Sequence, residues 1–253
     1  MLRRWWRRRR GNVTEPAGEV VDLARGGLVR RGEAVELRRH VPANREAFQR
    51  WYADPEIAAL LRHDQEPLTA FQSKGYFDTF ILPLSARGWC YAIHERVGGR
   101  LVGTTALTDV AKRAGGRSAL FRIVIGEKEV WGRGLGTEAT RLAVAEAFET
   151  HDLDEVRLEV FSHNPRAIAA YTRVGFVRTG EHVEWVPRRR LELRVVEMAL
   201  ARDEYVVAAE AGGDRGGELT GGAEVGDAIE GADRAVPSLT TGGGRTATDS
   251  STA

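Results

Sequence analysis

Three glycines at alternate positions, Gly132, Gly134 and Gly136, mark the part of this chain with the most chemistry to offer. They stand within Ile125–Thr140 (IGEKEVWGRGLGTEAT), where a strand pattern passes through a short connection into a helix pattern. Glycine lets a backbone approach a ligand closely and adopt positive φ. The helix start that follows offers unpaired N–H groups and a positive dipole end, which suit a pyrophosphate. Trp131, Gly132, Arg133, Gly134, Leu135, Gly136 and Thr137 therefore read as an anion cradle. A dinucleotide-binding turn is the rival, since Gly134-Leu-Gly136-Thr-Glu-Ala139 fits G-x-G-x-x-A and Asp154 lies 18 residues past Gly136. That fingerprint needs its glycines directly after the strand, whereas eight residues separate Ile125 from Gly134. Successive βαβ repeats are also missing. A glycine turn with structural duties alone is the bland alternative.

A second constellation, NPRAIAAYTRVGF from Asn164 to Phe176, begins 28 residues after Gly136. Asn164 is a natural N-cap, Pro165 suits the first helical position, and Gly175 falls just past the end. By spacing alone, Tyr171 reads as an aromatic on the buried face of this helix. A phenol, with an ordinary pKa of about 10, can also donate a proton to a thiolate. The lone cysteine, Cys90, sits in a strand pattern without a neighbouring His-Asp pair, and cannot form an intrachain disulfide or a four-thiolate metal site. No metal is expected, and a reducing cytoplasm is the simplest compartment.

Positioning these residues falls to a regular middle between Glu33 and Asp203. Alternation marks strands at Ala34–Arg39, Trp89–Glu95, Arg100–Thr108, Ser118–Ile125, Glu155–Phe161, Phe176–Val186 and Leu191–Leu200. Gly98-Gly99 and Pro187–Arg190 supply turns. Helical spacing marks Asn44–Ala53, Pro55–Arg62, Leu68–Phe80, Gly134–Thr150 and Pro165–Val174. The order β, three short helices, β-β-β, α, β, α, β-β argues for a single α/β or α+β domain. Its core would be one mixed, mostly antiparallel sheet of about seven strands flanked by helices.

The ends of the chain read differently. Of 253 residues, the first ten (MLRRWWRRRR) hold six arginines and no acid, whereas 208–253 hold eight acids against three arginines. The net charge of +1 is therefore a neutral middle between opposed ends. The head has no apolar stretch after its basic block, so it does not read as a secretory signal. Its tryptophans among arginines suit an anionic membrane surface or nucleic acid, but the favoured readings are a solvated arm or sequence translated upstream of a truer start. Residues 11–32 read as a loose lead-in, and the Gly/Ala/Thr-rich tail from 204 as disordered. No apolar run is long enough to span a membrane.

The pairing of WGRGLGTEA with N-x-x-A-x-x-x-Y-x-x-x-G-F resembles the GNAT superfamily of acetyl-CoA-dependent N-acetyltransferases, most closely the ribosomal-protein alanine and spermidine acetyltransferase branch. The resemblance covers about residues 33–203, some 171 of 253. It implies that the loop 131–136 holds the coenzyme A pyrophosphate through backbone amides, with Trp131 where the family has Gln or Arg. Ile123, Val124 and Ile125 would hold the pantetheine arm, Asn164 would contact the cofactor, and Tyr171 would protonate the departing thiolate. The implied partners are acetyl-CoA and an amine acceptor (a protein N-terminus, a polyamine or another small amine), and a homodimer is left open.

Several members of that family deprotonate the amine with a glutamate on the fourth strand, but Ser118–Ile125 contains no carboxylate. His163, Glu159, Glu184 and His94 are the other candidates, each read first as a surface or capping side chain. Arg122, beside the expected pantetheine contacts, could repel a polyamine or attract an acidic peptide; an exposed strand residue is the favoured reading. The runner-up function is a non-catalytic acyl-CoA-binding sensor or scaffold.

Overall fold

The computed structural model describes residues 25–113 and 115–205. Its strands are β1 (Leu28–Arg31), β2 (Val35–Arg38), β3 (Cys90–Glu95), β4 (Leu101–Arg113), β5 (Gly116–Ile125), β6 (Glu155–Phe161), β7 (Val177–Val186) and β8 (Leu191–Ala201). They form one sheet in the order β1-β2-β3-β4-β5-β6-β8-β7. Seven of these answer to expected strands. The eighth, β1, lies in the lead-in expected to be loose, where Leu28 and Arg30–Arg31 pair with β2. The signal is weak because Leu28-Val29-Arg30-Arg31 does not alternate and lies between Gly26-Gly27 and Gly32, whereas β2, equally short, does alternate. The arginine-rich head and the acidic tail lie outside the described residues.

Every neighbouring pair is antiparallel except β5–β6. That parallel contact has only three rungs, Ser118↔Glu155, Ala119↔Val156 and Leu120↔Arg157. Beyond Leu120 the two strands part, although each stays paired on its outer side: β5 with β4 as far as Ile125, and β6 with β8 as far as Phe161. The sheet is therefore split down its middle.

The helices are α1 (Arg45–Tyr52), α2 (Pro55–Leu61), α3 (Ala70–Tyr76), α4 (Leu82–Ala86), α5 (Leu135–Ala145) and α6 (Pro165–Val174). The stretches 70–86 and 135–150 run on through wider π-type turns at Phe77–Ile81 and Glu146–Thr150. Local signals fix the boundaries. Asp54 caps α2, accepting from Glu56 N (2.8 Å), and Pro55 starts it. Thr69 and Gln72 form a reciprocal capping box on α3. Among the described residues no helix is long and apolar enough to cross a membrane.

Strand alternation divides the core between the two faces of the sheet. Ala119, Phe121, Ile123, Val156, Leu158 and Val160 pack with α5 and α6. Val124, Ala106 and Cys90 pack against Phe48, Trp51 and Phe77 of the early helices. Leu120 and Arg122 of β5, with Arg157 and Glu159 of β6, hold the strand positions that alternate with the α5/α6 set. They share the early-helix face.

Near the split, β4 and β5 approach so closely that a Cβ on Gly103 would run into the Val124 carbonyl oxygen. Gly103→Ala should therefore push the two strands apart, costing about 1–3 kcal/mol. The check is a lower midpoint of thermal unfolding, with Gly27→Ala, where a Cβ meets nothing, as the silent control.

Candidate active site

The glycine loop lies at the open end of the split. Gly132 and Gly134 take φ of 82° and 78°, in the left-handed region that favours glycine. Gly134 caps α5, and Glu138 closes the first turn by donating to its carbonyl (3.0 Å). As at any helix start, the preceding amides point out of the end, where they suit an anion. Leu135, Gly136 and Thr137 are buried in this first turn. Glu138 also fixes the helix to the sheet, its carboxylate accepting from Ala34 N (3.0 and 3.1 Å).

Trp131 does more than the sequence suggested. Its indole N–H donates to the Ile125 carbonyl (2.9 Å), tying the loop to the end of β5. The Arg166 guanidinium lies over its ring, 5.0 Å from the centroid, and links the loop to the start of α6 across the split. Arg166 thus brings a positive charge beside the cradle. No local pattern signals this contact, because it joins residues 35 positions apart. Arg133 pairs with Glu95 of β3 (2.9 Å).

Asn164 is buried and caps α6, its Oδ1 accepting from Ala167 N (3.2 Å). The capping role read from its position is present. Tyr171 is fully buried on α6, edge-on to Phe121 of β5 (6.2 Å) and to Phe176 (6.0 Å). The spacing reading of a buried aromatic holds, and the ring lies against the strand that leaves the split. Ile123, Val124 and Ile125 continue that strand, all buried.

On the early-helix face a shallow cleft, open to solvent, runs from Tyr52 and Tyr76 to Ile123 and Val124. Thr104, Thr108 and Arg122 supply its sheet wall, and Arg62 is the other charged residue lining it. Arg62 is bidentate with Asp64 (2.9 and 2.6 Å). Arg122 corrects the sequence reading, for its side chain is only 15% exposed. Its Nε donates to Thr108 Oγ1 (3.0 Å), and Nη2 stands 3.5 Å from Asp109. Asp109 occupies a bulge in β4 at φ 49°, past the end expected for that strand.

The four base candidates separate. His94 is buried on β3, its Nδ1 3.0 Å from the Gly99 carbonyl, in a turn remote from the split. His163 stacks on Phe161 (5.3 Å) with Nε2 3.1 Å from the Ala59 carbonyl. Glu184 joins a cluster across β7 and β8. One of its oxygens meets His63 Nδ1, the other His182 Nε2 (3.1 Å), and His182 Nδ1 lies 2.7 Å from Glu197. Burial would lower the His182 pKa, but hydrogen bonds to Glu184 and Glu197 outweigh it and raise it, with Glu159 adding a smaller push. Glu159 is half-buried on β6, two residues past its last rung with β5. Structure thus brings Glu159 and Glu184 into one neighbourhood and leaves His94 outside it.

Behind the cleft, Thr104 Oγ1 lies 2.9 Å from His40 Nε2 and 3.7 Å from Cys90 Sγ. Burial pushes the Cys90 thiol up to about 12, so no thiolate forms near neutrality. Burial also pulls His40 down to about 3, keeping it neutral. Between about pH 3 and 6.5 the unfolded chain therefore binds the extra proton, and stability through this group rises with pH. Urea unfolding should give a smaller unfolding free energy near pH 4 than near pH 7. His40→Gln should shrink that difference.

Comparison with known proteins places this geometry in context. A family model described as an acetyltransferase (GNAT) domain matches residues 34–177. Among solved structures, the chain is similar to a GNAT-family acetyltransferase from Bacillus anthracis at 13% identity and TM-score 0.59, covering 70% of this chain and 99% of that one. It is also similar to spermidine N-acetyltransferase from Vibrio cholerae, solved with CoA and spermine, at 20% identity and TM-score 0.57, covering 69% and 99%. At these identities the structural likeness speaks for the fold.

Proposed function

The chain belongs to the GNAT family of acetyltransferases, and on that premise we propose an acetyl-CoA-dependent N-acetyltransferase that moves the acetyl group to a primary amine. One observation carries the reading: the β5–β6 pairing stops after three rungs, and the glycine loop opens α5 at the mouth of the gap. The residues fit the donor. Backbone groups along Ile123–Ile125 can pair with the amides of a pantetheine arm much as with a peptide. The positive-φ loop and the α5 start suit the pyrophosphate, with the Arg166 charge beside them.

The amine nitrogen forms its bond to the thioester carbonyl carbon, and the C–S bond breaks. The departing thiolate takes the phenolic proton of Tyr171, the nitrogen gives up a proton to water as the amide forms, and water returns a proton to the phenolate. Holding donor and amine together supplies several kcal/mol of the barrier reduction by itself. With its thiol neutral and buried, Cys90 is not an acetyl carrier.

Thiol release from acetyl-CoA, followed across a panel of amines, tests this. Tyr171→Phe should lower kcat by about 100-fold or more while the acetyl-CoA Kd changes little. Gly134→Ala, strained at φ 78°, should instead raise the acetyl-CoA KM with the amine KM unchanged. Binding of acetyl-CoA without thiol release by any amine, with Tyr171→Phe silent, would identify a non-catalytic acyl-CoA binder.

A further inference from the structure

The cleft on the early-helix face, which the transferase reading leaves for the acceptor, carries a charge pattern that bears on its substrate. Arg62 and Arg122 are the charged residues that line it, and no carboxylate does. Arg62 is satisfied by the bidentate contact with Asp64. Arg122 is held by Thr108 through Nε, but its Nη2 is buried without a hydrogen-bond partner. The nearest carboxylate, Asp109 at 3.5 Å, is 55% exposed and screened by solvent. A buried guanidinium N–H without an acceptor is costly, and an oxyanion in the cleft would satisfy it with a charge-assisted bond.

The register supplies the other half. Leu120 and Arg157 form the last β5–β6 rung, so Arg122 and Glu159 each lie two residues beyond it. Both are on the early-helix face, one on each side of the gap. Behind Glu159 stand Glu184 and Glu197, bridged by His182. Arg157 stands at the last rung itself, and beyond it the split has Arg122 on its β5 side and Glu159 on its β6 side.

Resting on the transferase reading, we propose that the acceptor is a primary amine that also carries a carboxylate or similar oxyanion. Its anion is held by Arg122, and its ammonium faces Glu159. A polyamine has no oxyanion to offer Arg122 and would bring a second positive charge beside that guanidinium. Polyamines are thereby disfavoured, even though a polyamine acetyltransferase shares the fold. The Thr108–Asp109 bulge positions Arg122, through the Nε bond to Thr108 Oγ1.

The test compares glycine, β-alanine and 4-aminobutyrate, each against its own amide, with spermidine alongside. For at least one pair the wild-type chain should favour the acid over the amide in kcat/KM by about tenfold or more, mainly through KM. Arg122→Gln should bring that ratio to near parity, and Arg122→Lys should keep most of it. Preference for spermidine or for the amides, or an acid-to-amide ratio unchanged in Arg122→Gln, overturns the proposal. Calorimetric binding of the same pairs to the chain loaded with coenzyme A reads the preference without turnover. Discrimination that depends on Arg122 but releases no thiol supports the anion anchor and sinks the transferase. Thiol release confined to cationic amines does the reverse.

Discussion

Everything at the candidate site depends on the short parallel contact between β5 and β6. A strand that leaves its neighbour must find other partners for its backbone, because a buried unpaired N–H or C=O costs about as much as a lost hydrogen bond. Here each of the two strands keeps an antiparallel partner on its outer side, so the sheet survives the gap. The inner edges are left facing each other. One end carbonyl, that of Ile125, is taken by the Trp131 indole. The rest of the edge offers a row of backbone groups to an extended ligand.

The gap also sorts the side chains. Because successive residues alternate between faces, Phe121 and Ile123 turn to α5 and α6 while Arg122 and Val124 turn to the early helices. One strand therefore supplies an aromatic contact to Tyr171 on one face and a cation to the cleft on the other. The glycine loop, α5 and α6 close the first side, and α1–α4 roof the second. The two sides then open onto one gap in the sheet. The electrostatics differ by place: His182 among carboxylates is pulled towards its charged form, whereas His40 in the apolar floor is held neutral.

The sequence made the donor side legible because its signals are local. Gly132 and Gly134 stand where the backbone turns through positive φ, and Asn164, Pro165 and Gly175 stand at helix ends; each is chosen by the conformation of its own few residues. Core strands with clear alternation are readable for the same reason, and β1 is missed because LVRR does not alternate. Arg166 on Trp131 and the His63–Glu184–His182–Glu197 chain left no mark, since they join residues far apart in sequence. Arg122 looked like an exposed strand residue because alternation tells which face it takes, not what covers that face.

By itself, then, the sequence determined the element order, the turns and caps, and the loop that fits an anion, all set by backbone preferences within a few residues. Tertiary structure alone decided where β5 and β6 part, that Trp131 and Arg166 bridge the opening, and that Arg122 and Glu159 each stand two residues past the last rung on opposite strands. Those outcomes follow from strand register and from packing between distant segments. Register is set by which faces must be buried together, and that is a property of the whole sheet.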